Sequence, residues 1–213
     1  RYSVYKGCNS MIAIVDYGVG NLFSLISSFN KIGADIVVTA DPKLIEESDG
    51  IILPGVGAFE DAARKLRDSG LDKVIIEQAK KGKKLMGICL GMQMLFQQSF
   101  EYGCHEGLGL LKGNIVPMKD SIPDTLKIPH IGWNALHFAR ESNLFKYIKP
   151  NDCVYFVHSF YATDCDDSVI ATAEYGKELT AAVQKGNVMG CQFHPEKSGE
   201  VGLNILRAFC EME

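Results

Sequence analysis

The chain has 213 residues, of which 46% are hydrophobic and 23% are charged, and its formal net charge is -4. This composition is typical of a globular protein with enough chain for a sizeable core. The weakly negative charge argues against a nucleic-acid-binding surface, which is usually strongly basic, and no apolar run approaches the roughly 18 residues of a membrane-spanning helix.

The seven cysteines are odd in number and include no C-x-x-C pair. We therefore expect reduced thiols and a cytoplasmic protein, rather than a disulfide framework or a zinc site. Residues 1–10 precede a strand-like run that begins at Met11, and they show no signal-peptide pattern. We interpret them as an upstream extension and expect a single domain over residues 11–213.

Strand and helix patterns alternate through the first half of the chain. Continuous apolar runs predict buried strands, and apolar residues at helical spacing predict helices between them. The predicted strands are 11–15, 35–39, 50–53 and 84–88, and the predicted helices are 22–32, 42–48 and 60–81, the last interrupted near Gly70. Short connections between such elements indicate βαβ units and a mainly parallel sheet flanked by helices.

The pattern changes after residue 100, where glycines interrupt the helical spacing. Short β segments are predicted at 114–118, 135–138, 154–161, 169–174, 179–184 and 188–193. The last two are joined by a hairpin turn, which indicates antiparallel pairing in the C-terminal half. Residues 199–211 are predicted to close the α/β fold as an amphipathic helix.

Residues 85–93 (LMGICLGMQ) are the most informative stretch. A short strand leads into a turn with glycines two positions before and after Cys89, the arrangement of a nucleophile elbow with sulfur in place of oxygen. Such a turn strains the nucleophile's backbone, and the glycines remove Cβ atoms that would clash. The following apolar residues predict a helix to about Phe100. Its N-terminus favours the thiolate form of Cys89, whereas the alternative is an inert buried cysteine.

A thiolate nucleophile needs a base and a group that orients the base. His194 is the best placed of the five histidines, because residues 192–196 (QFHPE) follow a strand end and put Glu196 two positions further on. The alternative for His194 is an exposed loop histidine. His105 and His130 have no carboxylate placed in this way, and we interpret both as structural. No metal-ligand pattern accompanies His194, so no metal site is predicted.

Two turns are candidates to donate N–H groups to a developing oxyanion. One is the amide of Leu90, directly after Cys89, and the other is the turn 54–57 (PGVG), whose glycines let a peptide plane face a cleft. Both follow strand ends, and open α/β sheets bind ligands at the carboxyl ends of their strands. Taken alone, the PGVG turn is equally compatible with an ordinary strand-to-helix loop.

Taken together, these motifs resemble those of the class I (triad) glutamine amidotransferases. The motifs are residues 53–57 (LPGVG), 87–93 (GICLGMQ) and 192–196 (QFHPE), in that order. Residues 16–21 (DYGVGN), residues 129–134 (PHIGWN) and PGVG in place of PGG resemble one subfamily, the glutaminase subunit of imidazole glycerol phosphate synthase in histidine biosynthesis. The resemblance runs from Met11 to the C-terminus and implies the flavodoxin-like fold of that class. No nucleotide, flavin or metal signature appears, so we expect no cofactor.

The resemblance implies a role for each motif residue. Cys89 attacks the side-chain amide carbon of glutamine, His194 acts as base and then as acid toward ammonia, and Glu196 orients His194. Water then releases glutamate from the thioester. The implied oxyanion hole consists of Leu90, Val56 and Gly57, and in this subfamily the 56–57 peptide turns over before it donates. The residues implied to hold glutamine are Gly57, Gln93, Glu101, His158, Ser159 and Phe160.

The residues alone leave some of these roles open. Without the resemblance, Gln93 and Glu101 are more readily interpreted as solvated helix residues. His158 lies in an apolar strand, where a hydrogen-bonded core histidine is an equal alternative.

The resemblance also implies a protein partner, because the ammonia must reach a second active site. In this subfamily the partner is a (β/α)8-barrel cyclase that forms imidazole glycerol phosphate, so we expect a heterodimer. The residues in segments that resemble the partner-facing edge are Asn21, Trp133 and Asn134. Trp133 alone is equally well interpreted as a core residue.

Three alternatives to this function remain open. A paralogous glutaminase subunit would feed ammonia to a sugar-amidating synthetase with the same chemistry. A non-catalytic binding module would lack a triad residue, yet Cys89, His194 and Glu196 are all present. A γ-glutamyl peptidase on the same fold is disfavoured by the PGVG turn.

Overall fold

The computed structural model describes residues 10–212 of the chain, so the predicted extension lies outside the described residues except for Ser10. The helices are α1 Leu22–Lys31, α2 Pro42–Glu47, α3 Phe59–Asp68, α4 Leu71–Lys80, α5 Leu90–Met94 and α6 Gly199–Glu211. The strands of the N-terminal half are β1 Met11–Val15, β2 Asp35–Thr39, β3 Gly50–Leu53, β4 Lys84–Ile88, β5 Gln98–Ser99 and β6 His105–Glu106. Those that follow are β7 Asn114–Pro117, β8 His130–Ala135, β9 His137–Phe138, β10 Cys153–His158, β11 Phe160–Thr163, β12 Val169–Glu174, β13 Glu178–Lys185 and β14 Val188–Cys191.

Within residues 10–212, the largest sheet has eight strands in the order β2-β1-β3-β4-β14-β13-β12-β9. The strands from β2 to β14 pair in parallel, and β13, β12 and β9 extend the sheet by antiparallel pairing. β8 pairs with β10, and a further sheet has the order β11-β7-β5-β6. The predicted α/β fold, with a mainly parallel sheet and antiparallel additions in the C-terminal half, is confirmed. A single domain over 11–213 stays a prediction.

The central parallel strands are buried because both faces of the sheet are covered, whereas the edge strand β2 is only partly buried. β3 and β4 are buried at every position. One face packs against α3 and α4 in a cluster that includes Phe59 and Leu66. The other packs against α1 and α6 around Phe29 and Phe209. Such burial is expected of parallel strands between helical layers and gives the elbow after β4 a rigid base.

The predicted helix from the elbow to Phe100 is wrong, because α5 ends at Met94. Leu95 and Phe96 are fully buried, but they face the 107–111 loop rather than extending a helical face. The carbonyl of Leu95 accepts from Leu110 and Leu111, and a Cβ on Gly107 would lie 2.1 Å from the carbonyl oxygen of Phe96. The apolar residues after the elbow therefore form core contacts in an irregular segment.

Two predicted strands also differ from the structure. Residues 154–161 are not one strand, because β10 pairs with β8 whereas β11 pairs with β7, and the chain changes sheets at Ser159. The segment 135–138 is divided by the buried Leu136, and its first part belongs to β8, which begins at His130. Both differences arise where consecutive segments of the chain pair with different strands. Local sequence patterns do not show where such a change of pairing occurs.

Candidate active site

Cys89 follows β4 at a sharp turn where its φ is +54° and its ψ is -113°. The predicted strain at the nucleophile is confirmed, since few residues other than glycine adopt positive φ. The flanking glycines are needed for close packing. A Cβ on Gly87 would lie 2.5 Å from the carbonyl oxygen of Gly91, and one on Gly91 would lie 1.8 Å from that of Leu53. The elbow is thereby pressed against the end of β3.

Cys89, His194 and Glu196 lie together as the sequence predicts. β14 runs parallel to β4, and the Cys89 amide donates to the Cys191 carbonyl at 2.7 Å, so the ends of the two strands are adjacent. His194 Nδ1 is 2.7 Å from Glu196 Oε1, and both side chains are at most 3% exposed. The His194 imidazole also interacts with the Cys89 thiol, and both side chains line the same cavity. Because Nδ1 faces the carboxylate, Nε2 is the nitrogen that faces the sulfur.

The electrostatics of His194 favour its protonated form. Burial alone lowers the pKa of His194, but hydrogen bonds and charge interactions with Cys89 and Glu196 outweigh burial and raise it to about 9. An imidazolium beside a thiolate is a common state of activated cysteine nucleophiles. His194 can therefore hold a proton until a leaving group needs it.

A cavity of about 380 Å³ lies over Cys89, within the roughly 300–1,000 Å³ range of small-molecule sites. The predicted oxyanion residues and all the predicted glutamine-binding residues line it. They are Val56, Gly57, Leu90, Gln93, Glu101, His158, Ser159 and Phe160. Glu196 is not among the lining residues and lies behind His194. The structure thus brings these residues to one cavity, while their roles stay proposals.

Gln93 is buried, so the alternative of a solvated helix residue is wrong for it. Its Nε2 donates to the Phe160 carbonyl at 3.2 Å and to Gln192 Oε1 at 3.0 Å. Gln192 Nε2 lies 3.8 Å from Cys89 Sγ. This chain of contacts ties the nucleophile to the cavity wall at Phe160.

Glu101 lies on the loop beyond β5 rather than on a helix. Its Oε2 accepts from the Phe59 amide at 2.8 Å, which satisfies one N–H group at the start of α3. Burial raises the pKa of Glu101 despite this hydrogen bond and the nearby His105. Its carboxylate is therefore half-buried at the cavity edge, where it can accept from a ligand ammonium group.

The PGVG turn lies directly over the elbow. A Cβ on Gly55 would lie 2.7 Å from the Gly91 amide nitrogen, so this contact requires glycine. Gly57 has a φ of +92°, and no atom lies within 4 Å of where its Cβ would be. The 56–57 peptide therefore borders open space. Tyr17 donates its hydroxyl proton to the Pro54 carbonyl at 2.7 Å and anchors the first residue of the turn.

The predicted partner-facing residues lie outside the cavity lining. Trp133 is 58% exposed, so the alternative of a core residue is wrong. Asn21 is exposed and contacts Ser24, whereas Asn134 is half-buried and donates to the Glu174 carbonyl at 2.7 Å. Trp133 and Asn21 are thus free to contact another protein, and Asn134 is largely occupied within the chain.

Several residues of the site were not singled out by the sequence. Tyr102, Pro129 and Lys197 line the cavity, and Tyr17 and Gln192 support it. Tyr17, Pro129 and Gln192 fall inside the recognised motifs, so their position in those motifs was the available signal. Tyr102 comes from an irregular segment whose approach to Cys89 depends on tertiary packing.

Comparisons with known proteins agree with this geometry. The profile of the family described as "Glutamine amidotransferase class-I" matches residues 13–212. A crystal structure of a glutamine amidotransferase superposes with a TM-score of 0.74 at 18% identity, covering 93% of this chain and 97% of that chain. The structure of PurLQS from Thermotoga maritima superposes with a TM-score of 0.70 at 24% identity, covering 94% and 97%. At these identities the two structures show the fold alone. The chain belongs to the class-I glutamine amidotransferase family.

Curated relatives narrow this assignment. The imidazole glycerol phosphate synthase subunit HisH of Oceanobacillus iheyensis is 48% identical over 203 residues, which is 95% of this chain and 99% of the relative. The same subunit of Sulfurimonas denitrificans is 50% identical over 202 residues, which is 93% of this chain and 97% of the relative. Within its family, the chain therefore groups with the HisH subunits.

Proposed function

We propose that this chain is the glutaminase subunit of imidazole glycerol phosphate synthase, which hydrolyses L-glutamine to glutamate and ammonia. The observation that carries the proposal is the buried His194–Glu196 pair beside Cys89, at a cavity of suitable size. Membership of the class-I family and the names of the curated relatives support the same function.

The first half of the reaction forms a thioester. The Cys89 thiolate attacks the side-chain amide carbon of glutamine, and the carbonyl oxygen becomes an oxyanion. The Leu90 amide and the 56–57 peptide donate to that oxyanion. His194 gives its proton to the amide nitrogen, the C–N bond breaks and ammonia leaves, while Glu196 keeps the imidazole oriented.

The second half restores the thiolate. Neutral His194 takes a proton from water, and the hydroxide attacks the thioester carbon. The C–S bond breaks, the hydroxyl group stays on the γ-carboxyl carbon, and glutamate leaves. His194 keeps the proton it received, so imidazolium and thiolate are present again for the next glutamine.

The PGVG turn, which carries the 56–57 peptide, suggests how the activity is controlled. Gly57 has a positive φ and open space beside it, so the 56–57 peptide can reverse without a side-chain clash. We propose that this reversal accompanies partner binding and completes the oxyanion hole. Activity without the partner is then low.

The proposed partner is a (β/α)8-barrel cyclase in a heterodimer, with Asn21, Trp133 and Asn134 near the contact. The exposed indole of Trp133 and the exposed Ile131 on the same strand supply apolar surface for it. Lyase chemistry in the assembled synthase belongs to that partner. We place the complex in the cytoplasm, which is supported by the free thiols of all six cysteines in the described part of the chain. Among the helices of residues 10–212, none has the length and apolar character to cross a membrane.

The test is glutamine hydrolysis by the purified chain, alone and with the cyclase subunit and its nucleotide ligand. We expect low activity alone, a large increase with the partner, and loss of activity in Cys89→Ala. Cys153→Ala is the matched control, because Cys153 is an exposed thiol at the far end of β10. If the rate of glutamine hydrolysis does not change when the cyclase is added, the alternative of a sugar-amidating synthetase partner would be favoured. Unchanged activity in Cys89→Ala would contradict the mechanism.

A further inference from the structure

A chain of buried hydrogen bonds connects β8 to the wall of the glutamine cavity. Asn134 Nδ2 lies 3.4 Å from His130 Nε2, and His130 Nδ1 lies 3.1 Å from His158 Nε2. His158 Nδ1 lies 2.8 Å from the carbonyl oxygen of Phe160. This series of hydrogen bonds ends at Phe160, where the backbone passes from β10 to β11 along the cavity.

The partners determine where each proton lies. The Phe160 carbonyl only accepts, so His158 Nδ1 carries a proton and its Nε2 is the acceptor of a neutral ring. His130 Nδ1 must then donate, which leaves His130 Nε2 to accept from Asn134. The Asn134 amide is oriented consistently, because its oxygen accepts from the Ala135 amide at 2.8 Å and its nitrogen also donates to Glu174. Both histidines are therefore neutral with one fixed tautomer each.

Packing holds the two rings in this arrangement. His130 is stacked between Phe156 and Tyr175, at centroid distances of 4.9 Å and 4.1 Å. Both histidines are buried. Burial lowers the pKa of each, and that of His158 falls to about 4 with help from His130 and His194. Neutral rings are thus the stable forms near neutral pH.

The Phe160 carbonyl is the junction between this pair and the nucleophile. It accepts from His158 and from Gln93, and Gln93 in turn contacts Gln192, whose amide lies beside Cys89 Sγ. If His158 released the carbonyl, Gln93 would lose the fixed orientation of one of its two acceptors. The wall formed by residues 158–160 would then be free to shift relative to Cys89.

We infer that His130 and His158 are positioning residues that hold the 158–160 wall and Gln93 in place for glutamine. The inference rests on the proposed function, since glutamine is the ligand whose fit is at issue. Neither ring transfers a proton in the reaction. Their contribution is to the affinity for glutamine, whereas bond breaking depends on Cys89 and His194.

Two matched variants of His158 test this inference in the complex with the cyclase subunit. His158→Asn keeps a donor near the position of Nδ1, and His158→Leu removes it. We expect His158→Leu to raise KM for glutamine roughly tenfold, the effect of one lost hydrogen bond, with kcat within about threefold. His158→Asn should raise KM by less than His158→Leu does, because its amide can still donate to the Phe160 carbonyl. Equal KM values in both variants would overturn the inference.

A second pair of variants, at His130, distinguishes a loss of positioning from a loss of folding. His130→Phe keeps the stacking between Phe156 and Tyr175 but removes the donor to His158, while His130→Asn retains a donor. The readout is alkylation of Cys89 in the folded protein, followed by mass spectrometry of its peptide, with a chloroketone analogue of glutamine and with iodoacetamide. We expect His130→Phe to slow the first reaction and not the second, and His130→Asn to slow neither. Equal slowing of both reagents would overturn the inference.

Failure of the proposed function is separable from failure of this inference. If the wild-type complex does not hydrolyse glutamine, the proposed function is wrong. If it hydrolyses glutamine and the two variants of each pair behave alike, only the positioning role is wrong.

Discussion

Cys89 is held at a φ of +54° and a ψ of -113°, a conformation that costs an L-residue roughly 1–3 kcal/mol. The strain is held by the packing of Gly87 and Gly91 against neighbouring backbone. It directs the sulfur into the cavity rather than into the core. A substitution that relieves this backbone strain should therefore increase the free energy of unfolding.

Cys89→Gly should be more stable than Cys89→Ala. Glycine ordinarily destabilises by roughly 0.5–1 kcal/mol relative to alanine, but here it adopts the required φ without strain. Both variants lose the sulfur and its activity, so their comparison isolates the backbone. We expect a free energy of unfolding about 1 kcal/mol higher for Cys89→Gly in urea denaturation. A more stable alanine variant would show that the strain is absent.

The pKa of His194 gives a second test on the residue scale. It is raised from its ordinary value of 6.5 to about 9, so the folded state binds this proton more tightly than the unfolded state. The stability that this provides is fully present below pH 6.5 and is lost as the pH rises through about 9. Nuclear magnetic resonance titration of the imidazole should show the high pKa directly.

Glu196→Gln should lower the pKa of His194, because it removes a charge and weakens a hydrogen bond to the imidazolium. The matched control is Glu178→Gln, which removes the carboxylate beside the exposed His137 and leaves the site intact. An unchanged His194 pKa in Glu196→Gln would mean that the carboxylate does not stabilise the imidazolium.

On the scale of elements, the site depends on how closely α5 approaches β3. A Cβ on Gly91 would lie 1.8 Å from the Leu53 carbonyl oxygen, and neither backbone can move without disturbing the sheet. We expect Gly91→Ala to reduce the free energy of unfolding by more than about 3 kcal/mol and to abolish glutamine hydrolysis. Denaturation and activity measurements on the purified variant are the check.

The control for that variant is Gly82→Ala. Gly82 is exposed, has a φ of +94° and has no atom within 4 Å of where its Cβ would lie. It should lose only roughly 1–2 kcal/mol, from backbone strain alone, with activity retained. Equal losses in the two variants would show that α5 and β3 tolerate a wider spacing.

Elements whose partners are close in sequence could be predicted from local pattern. β1 to β4 have the predicted bounds, because each is buried along its whole length or paired with a parallel neighbour. The short α5 could not be predicted. Leu95 and Phe96 are apolar because the distant 107–111 loop covers them, and a helical pattern gives the same residues. A local sequence pattern predicts that a residue is buried, but it does not predict which distant segment covers that residue.

On the scale of the whole molecule, the motifs identified residues that meet only after folding. Cys89 and His194 are more than a hundred positions apart, and parallel pairing of β4 with β14 brings them together. The residues that the sequence missed, such as Tyr102 and Lys197, reach the cavity by tertiary packing. His130 was interpreted as structural because no carboxylate accompanies it, and its bond to His158 depends on the pairing of β8 with β10.

The molecule therefore consists of a parallel sheet that supports both the nucleophile and the base, and antiparallel strand pairs that supply the cavity wall. The exposed apolar residues on β8, Ile131 and Trp133, belong to the half that holds the wall. A partner bound there would contact the same strand that carries His130. The positioning of glutamine and the assembly with the partner are in this account properties of neighbouring residues on one strand pair, β8 and β10.

The central claim is that Cys89 forms a thioester with glutamine. The most direct measurement is rapid acid quenching of the complex during turnover, followed by mass spectrometry of the peptide that contains Cys89. We expect that peptide to carry the mass of one γ-glutamyl group, and the peptides that contain Cys104 or Cys153 to carry none. Glutamine hydrolysis without any modification of Cys89, under conditions in which the thioester is stable, would contradict the account.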